Sequence, residues 1–160
     1  MSENWEGAVP DVVAALADVA RQPGIGPLEE RLAAAAWSQD APGSGGLHRQ
    51  WRRGDVVGTQ YGRGSAAFIE VTMLVAWPDL EDLDSEDHLM TEFEDKFERA
   101  VGIAASSLGA PHFNGTYGET GFPDDVDAVM TASWSLGSEL HLNLKHEDSG
   151  VPFRLTATVS

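Results

Sequence analysis

Ala66-Ala67-Phe68-Ile69-Glu70-Val71-Thr72-Met73-Leu74-Val75-Ala76-Trp77 is the stretch on which the fold turns. Ile69, Val71, Met73, Val75 and Trp77 fall on one side of an extended chain, and Glu70 and Thr72 on the other. That two-residue period predicts a half-buried strand. Residues 55–61 read as its partner, and Tyr61-Gly62-Arg63-Gly64-Ser65 as the hairpin loop between them, because glycine supplies the positive φ such loops use. Three more strands follow the same logic in the last third. Met130, Ala132 and Trp134 alternate with Thr131 and Ser133, Leu140, Leu142 and Leu144 with Glu139, His141, Asn143 and Lys145, and Val151, Phe153, Leu155, Ala157 and Val159 with Arg154, Thr156 and Thr158. Gly137-Ser138 and Asp148-Ser149-Gly150 are the turns, and strands joined this briefly are antiparallel.

Between the two groups of strands, Leu89, Phe93, Phe97, Val101, Ala104 and Leu108 recur every three to four residues. They predict one long helix with Ser85 as its cap, Glu86 and Asp87 at its positive end, and Gly109 and Pro111 as its stop. Two shorter, alanine-rich helices precede the sheet. The first is expected to start at Pro10 and Asp11 and to stop at Pro23-Gly24, and the second to start near Pro27 with Glu29 and Glu30 in its first turn. The expected fold is α+β, in the order αα-ββ-α-βββ: an antiparallel sheet of about five strands with helices packed on one face. One domain over residues 1–160 is expected, with N-terminal helices in 10–37, a Gly/Ser-rich linker at 40–46 and the sheet-and-helix body in 51–160.

The opposite sheet face would carry Glu70, Thr72, Thr131, Ser133, His141, Asn143, Lys145, Arg154, Thr156 and Thr158, and reads as a solvated surface open to a partner or ligand. Residues 151–159 could form a sheet edge, so the expected state is monomer or homodimer.

Among 160 residues, 26 acidic side chains against 10 basic ones give a formal net charge of −16. That charge argues against nucleic acid and against an anionic membrane as partners. No cysteine is present, which excludes disulfides, thiol chemistry and cysteine-held metals. The acidic start, Met1-Ser2-Glu3-Asn4-Trp5-Glu6, lacks the basic region of a secretory signal, and no apolar run is long enough for a membrane helix, so a cytoplasmic location is expected.

The charge is concentrated. Residues 78–98 hold ten acids against Lys96 alone. Glu86 and Asp87 favour a helix start, but like charges this dense otherwise repel. A negative surface that draws in a basic protein partner would account for them, and the residues expected to meet it are Asp79, Glu81, Asp82, Asp84, Glu86, Asp87 and Glu94. Arg49, Arg52, Arg53 and Arg63 are expected to be an internal counterweight to that run.

No catalytic motif emerges. None of the five histidines forms a zinc-protease pair. Asp84, His88 and Glu92 could share a helix face, and such an acid–histidine–acid row is ordinarily solvated. Asp124, Asp125 and Asp127 are a cluster that any acidic protein can offer by chance. No phosphate loop or nucleophile elbow is present, and no cofactor is expected. If the protein acts on a small ligand instead, a region near His141, Arg154 and Tyr117 is the place to look. Trp77 and Trp134 read as core, and Trp5 and Trp51 as candidate contact residues.

Leu108-Gly109-Ala110-Pro111, Trp134, the hairpin into residues 140–144, Lys145-His146-Glu147-Asp148 and Val151-Pro152 together resemble the C-terminal pattern of small acidic bacterial immunity proteins of polymorphic toxin systems and of related uncharacterised actinobacterial families. The resemblance covers about 50 residues and consists of structural turns. It implies a stoichiometric, non-enzymatic protein-binding role without a cofactor, and it carries over no functional residue. The helices joined to an antiparallel sheet also resemble secretion chaperones, although those normally end in a helix and this chain ends in a strand.

Overall fold

The computed structural model describes residues 4–22, 26–40, 48–147 and 151–160, which form eleven α-helices and β-strands besides one 3-10 turn at Gly64–Ala66. They are α1 (Trp5–Ala20), α2 (Leu28–Ala34), β1 (Ser38–Gln39), β2 (Arg49–Arg53), β3 (Val56–Tyr61), β4 (Phe68–Ala76), α3 (Ser85–Leu108), β5 (Phe113–Thr116), β6 (Met130–Ser135), β7 (Glu139–Lys145) and β8 (Phe153–Val159). The helix stop at Pro23-Gly24, all of the Gly/Ser linker except Asp40, and the Asp148-Ser149-Gly150 turn lie outside the described residues.

The fold is α+β, but the sheet is larger than five strands and the order αα-ββ-α-βββ does not hold. Eight antiparallel strands lie in the spatial order β1-β2-β3-β4-β8-β7-β6-β5. The three additional strands have weak signatures. β1 is two residues long, β2 (Arg-Gln-Trp-Arg-Arg) buries only Trp51, and β5 (Phe-Asn-Gly-Thr) carries turn-type residues. Each is held by its neighbour's hydrogen bonds rather than by an apolar face of its own.

β8 lies between β4 and β7. It therefore offers no edge, and a dimer through residues 151–159 is ruled out for this sheet. The two ends of the sheet are instead the short β1 and β5.

Register explains a second departure. Thr72 pairs with Thr156 and Leu74 with Leu155, so β4 carries a bulge at Met73. The extra residue shifts the phase of all that follows. Leu74 turns inward while Val75 and Trp77 turn outward, to 49% and 68% exposure. The single alternation expected over residues 66–77 is thus two alternations out of step.

α1 and α3 lie against β4, β7 and β8 and against each other. Phe93, Phe97, Ala100, Val101 and Ala104 of α3 meet Ile69, Leu142, Leu144, Phe153, Leu155 and Ala157 in one core, with the Phe93 and Phe153 ring centroids 5.6 Å apart. Burying each such large side chain stabilises the fold by about 1.5–3 kcal/mol. α3 spans the expected residues and ends at Gly109, whose φ is 83°. Its start differs in detail: Ser85 Oγ accepts from the Asp79 amide at 2.8 Å instead of capping the helix. α1 begins at Trp5, so Pro10 sits inside it. Trp5 and Trp51, expected as contact residues, are buried at 7% and 5% exposure.

Arg31 of α2 fixes the corner where the helices meet the sheet. Its guanidinium donates to Ser138 Oγ at 2.5 Å, to the Ser160 carbonyl at 3.1 Å and to the Val19 carbonyl at 3.4 Å. The Ser138 amide donates to the Ala20 carbonyl at the end of α1, so the β6–β7 turn also serves as that helix's C-terminal partner.

The β3–β4 turn requires glycine at 62. Its φ is 75°, and a Cβ there would lie 2.6 Å from the Ala66 carbonyl oxygen. Gly54 has a similar φ of 59° with open space around it. Gly62→Ala is expected to lower unfolding free energy by about 2–3 kcal/mol, and Gly54→Ala by only about 1 kcal/mol, in urea titrations.

Candidate functional site

Two regions hold the residues that the sequence singles out: the acidic segment after β4 and the polar face of the sheet. In the first, residues 77–84 connect β4 to α3, and two of their acids build the loop. Asp79 Oδ1 accepts from the Glu81 amide and Asp82 Oδ1 from the Asp84 amide, each at 3.0 Å. These are local turns that aspartate forms readily, so Asp79 and Asp82 carry a structural duty besides their charge.

Glu86 lies 3.3 Å from His146 Nε2 and ties the start of α3 to the end of β7. Asp84, Asp87, Glu94 and Glu98 continue along one exposed stripe of α3 at helical spacing. Among the described residues, no cation pairs within 4.0 Å with Asp79, Glu81, Asp82, Asp84, Asp87, Glu94 or Glu98.

The arginines do not supply the expected counterweight. Arg49 pairs with Glu29, Arg52 with Asp40 and Arg53 with Asp18, all acids of the N-terminal half. The negative field of residues 79–98 is therefore largely uncompensated at short range.

Apolar side chains stand within it. Trp77 is 68% exposed, Leu80 77% and Leu83 95%. With Val75 they make four of the six large exposed apolar residues among those described, all within nine positions. Sequence reasoning missed Trp77 because the bulge is invisible to a two-residue period. Leu80 and Leu83 carried a usable signal, since they interrupt the acidic loop outside any strand or helix pattern.

Most of the second region is not a wet surface: of its ten residues Thr72 is exposed as expected, Lys145 and Arg154 are half-buried, and the other seven are buried. Thr131, Ser133 and Thr156 are fully buried, and Asn143, Glu70, His141 and Thr158 are between 2% and 9% exposed. The cover comes from the β5–β6 connection. Its Phe122 packs edge-on against Phe113 at 5.8 Å, and its Glu119 occupies the space a Cβ on Gly115 would need.

Beneath it the polar groups satisfy one another, as burial demands. Thr131 Oγ1 lies 2.8 Å from Asn143 Oδ1, and Asn143 Nδ2 donates to Thr156 and Thr158 Oγ1 at 3.3 Å. The Glu70 carboxylate, 5% exposed, accepts from Lys145 Nζ at 2.9 Å and Arg154 Nη1 at 3.2 Å.

His141 Nδ1 is 2.6 Å from Ser133 Oγ. Burial pushes its pKa down, outweighing the attraction of Asp125 and Glu139, so the imidazole is held neutral. Ser133 is fully buried, which makes its hydroxyl a support for the ring.

His141, Arg154 and Tyr117 do not form one site. His141 lines a cavity of about 500 Å³, Tyr117 a separate depression of about 550 Å³ and Arg154 a small one of about 240 Å³. Asp127 borders both of the larger two. Among the described residues, no group of three or more histidine or acidic side chains is placed to hold a metal ion, and Asp84, His88 and Glu92 do not form one. No helix among them is long and apolar enough to cross a membrane.

Glu70→Gln leaves Lys145 and Arg154 side by side without their shared counterion, and is expected to lower stability by about 3 kcal/mol in urea denaturation. His141 gives a pH signature. Its folded pKa lies below the ordinary 6.5, so the unfolded chain takes up the proton first. The stabilisation from its neutral form is complete above about pH 6.5 and is lost as pH falls towards the folded pKa. Calorimetric melting temperatures should fall over that window, and His141→Gln should flatten the slope.

The chain matches no protein-family model, no curated protein and no solved structure.

Proposed function

We propose that this protein is a stoichiometric, non-enzymatic capture protein whose partner is a basic protein, met by the segment from Val75 to Asp87 and the adjoining stripe of α3. One observation carries this reading. Exposed Trp77, Leu80 and Leu83 lie in the same short segment as Asp79, Glu81, Asp82, Asp84 and Asp87, whose charges are uncompensated.

The two features do different work. A tryptophan and two leucines in water are costly to a protein that needs only to stay folded, and such anchors supply most of the energy of an interface. The surrounding carboxylates speed the approach of a cationic partner and repel acidic competitors. A loop braced by its own aspartates presents the anchors with little ordering left to lose. The turn-and-hairpin resemblance to immunity proteins of toxin systems is consistent with such a role and makes a toxin the partner to test.

The experiment is affinity recovery of the tagged chain from the cells that make it. The expected result is a basic protein at one-to-one ratio, lost from a Trp77→Ala/Leu83→Ala variant that melts like the parent. Each anchor removed should cost about 2 kcal/mol of binding. Glu81→Lys/Asp84→Lys should slow association and weaken its salt dependence. Co-expression of the recovered partner should arrest growth unless the capture protein is present. A partner bound equally well by the anchor variant, or an acidic partner, would overturn the proposal.

A further inference from the structure

The sheet has an open edge in its interior. β3 pairs with β4 over only three positions, from Tyr61 opposite Phe68 to Thr59 opposite Glu70. Carried on in the same register, β3 reaches its first residue, Val56, opposite Met73. β4 runs on to Ala76, paired on its other side with Arg154 and Phe153 of β8. Leu74, Val75 and Ala76 therefore have a strand on one side only. Among the described residues, no loop takes the missing place with backbone hydrogen bonds. We propose that the basic partner enters here as an extended segment that adds a strand beside residues 74–76, an inference that rests on the capture reading and specifies how the partner is held.

An unpaired strand edge is a template for another chain, because its outward N–H and C=O groups have no protein partner. In an antiparallel ladder alternate residues direct both backbone groups to one neighbour, so β8 satisfies only part of residues 74–76. An added strand gains affinity from the remaining groups and specificity from its alternate side chains. The side chains to meet them are in place. The bulge at Met73 turns Val75 and Trp77 to the same outward side of this edge. Val57 of β3, also exposed, falls opposite Thr72 in the same register. Every second side chain of an added strand would lie against this apolar surface.

Charge decides the occupant. Asp55 stands in the β2–β3 turn beside the edge, and Asp79 and Glu81 in the loop that leaves its end. Among the described residues, none of the three has a cation within 4.0 Å. The neighbouring cations are already committed: Arg53 to Asp18, and Arg154, opposite Val75, to Glu70 and Glu147. A second copy of this chain is a common occupant of such an edge. Here edge-to-edge pairing would press two acidic segments together, each with ten acids against Lys96 alone. A cationic strand meets no such barrier, and lysine or arginine in it would face the carboxylates while its apolar residues cover Val75 and Trp77. The same acids that attract the partner keep the edge free of copies.

The test uses the full chain and a synthetic peptide of about seven residues that alternates lysine with valine. Trp77 is the exposed one of the five tryptophans, so its emission reports binding, and calorimetry gives the strength. Two isomeric peptides carry N-methyl groups, one on the valines and the other on the lysines. Each blocks the backbone donors along one edge and keeps charge and side chains. One isomer should bind within about twofold of the parent peptide and the other at least about tenfold more weakly, because an added strand uses a single edge. A glutamate–valine peptide should bind at least about tenfold more weakly. Exchange of the outward amides among residues 74–76, followed by NMR, should slow about tenfold or more with the lysine–valine peptide. Asp55→Asn/Asp79→Asn, in which the asparagine at 79 can still accept from the Glu81 amide, should weaken the peptide about threefold or more and flatten its salt dependence. No binding of the lysine–valine peptide, equal loss or equal retention by the two isomers, tighter binding of the glutamate peptide, or a dimer of the chain closed through this edge would overturn the strand addition. A basic partner recovered in dependence on Trp77 and Leu83 that leaves exchange at residues 74–76 unchanged ends this inference alone, whereas recovery of no basic partner ends the capture reading itself.

Discussion

The pairing of β4 with β8 is the constraint on which the rest of the molecule depends. On one side of it the chain has laid down β1 to β4 as a meander, and on the other β5 to β8 as a second meander running back towards the first. α3 carries the chain from one half to the other, and α1 and α3 together cover the seam. The two longest runs of apolar alternation meet there, with Ile69 and Val71 beside Val159 and Ala157. The bulge at Met73 follows from the same pairing, because it lets Leu74 stay in the core beside Leu155 while the end of β4 twists away. The way the centre of the sheet is packed thus also sets the outward position of Trp77, and the acidic loop departs from that exposed end.

The two sheet faces solve opposite problems. One is apolar and is closed by helices, which gives the molecule its stability. The other is polar and is closed by a loop, and its members are held by bonds to one another: Thr131 to Asn143, Asn143 to Thr156 and Thr158, Glu70 to Lys145 and Arg154. A network of this kind adds little net stability compared with an apolar filling, but it is strict about geometry. That strictness keeps Lys145 and His141 in fixed positions beneath the loop.

Much of this was legible in the sequence where a single period governs a long element. The stripe from Leu89 to Leu108 gives α3, and the alternations in residues 130–134, 140–144 and 151–159 give β6, β7 and β8, the last of which starts two residues later, at Phe153. The reading failed where an element owes its existence to its neighbours. Arg49–Arg53 and Phe113–Thr116 have no periodicity to find, and the bulge breaks a pattern whose residues all look strand-like. The acidic segment was visible as composition, whereas its apolar anchors depended on that bulge. The polar face was correctly grouped, yet its burial was hidden, because the residues covering it lie in a connection rich in glycine and aspartate that reads as open loop.

The position of β8 bears on how the molecule is made. The strand that joins the halves is the last in chain order, so β1 to β4 and β5 to β7 emerge from the ribosome with open edges at what will become the middle of the sheet. Until residues 153–159 arrive, two apolar edges are free to pair with neighbouring nascent chains. A high negative charge, spread through α3 and its approach, keeps such half-made chains apart during that interval.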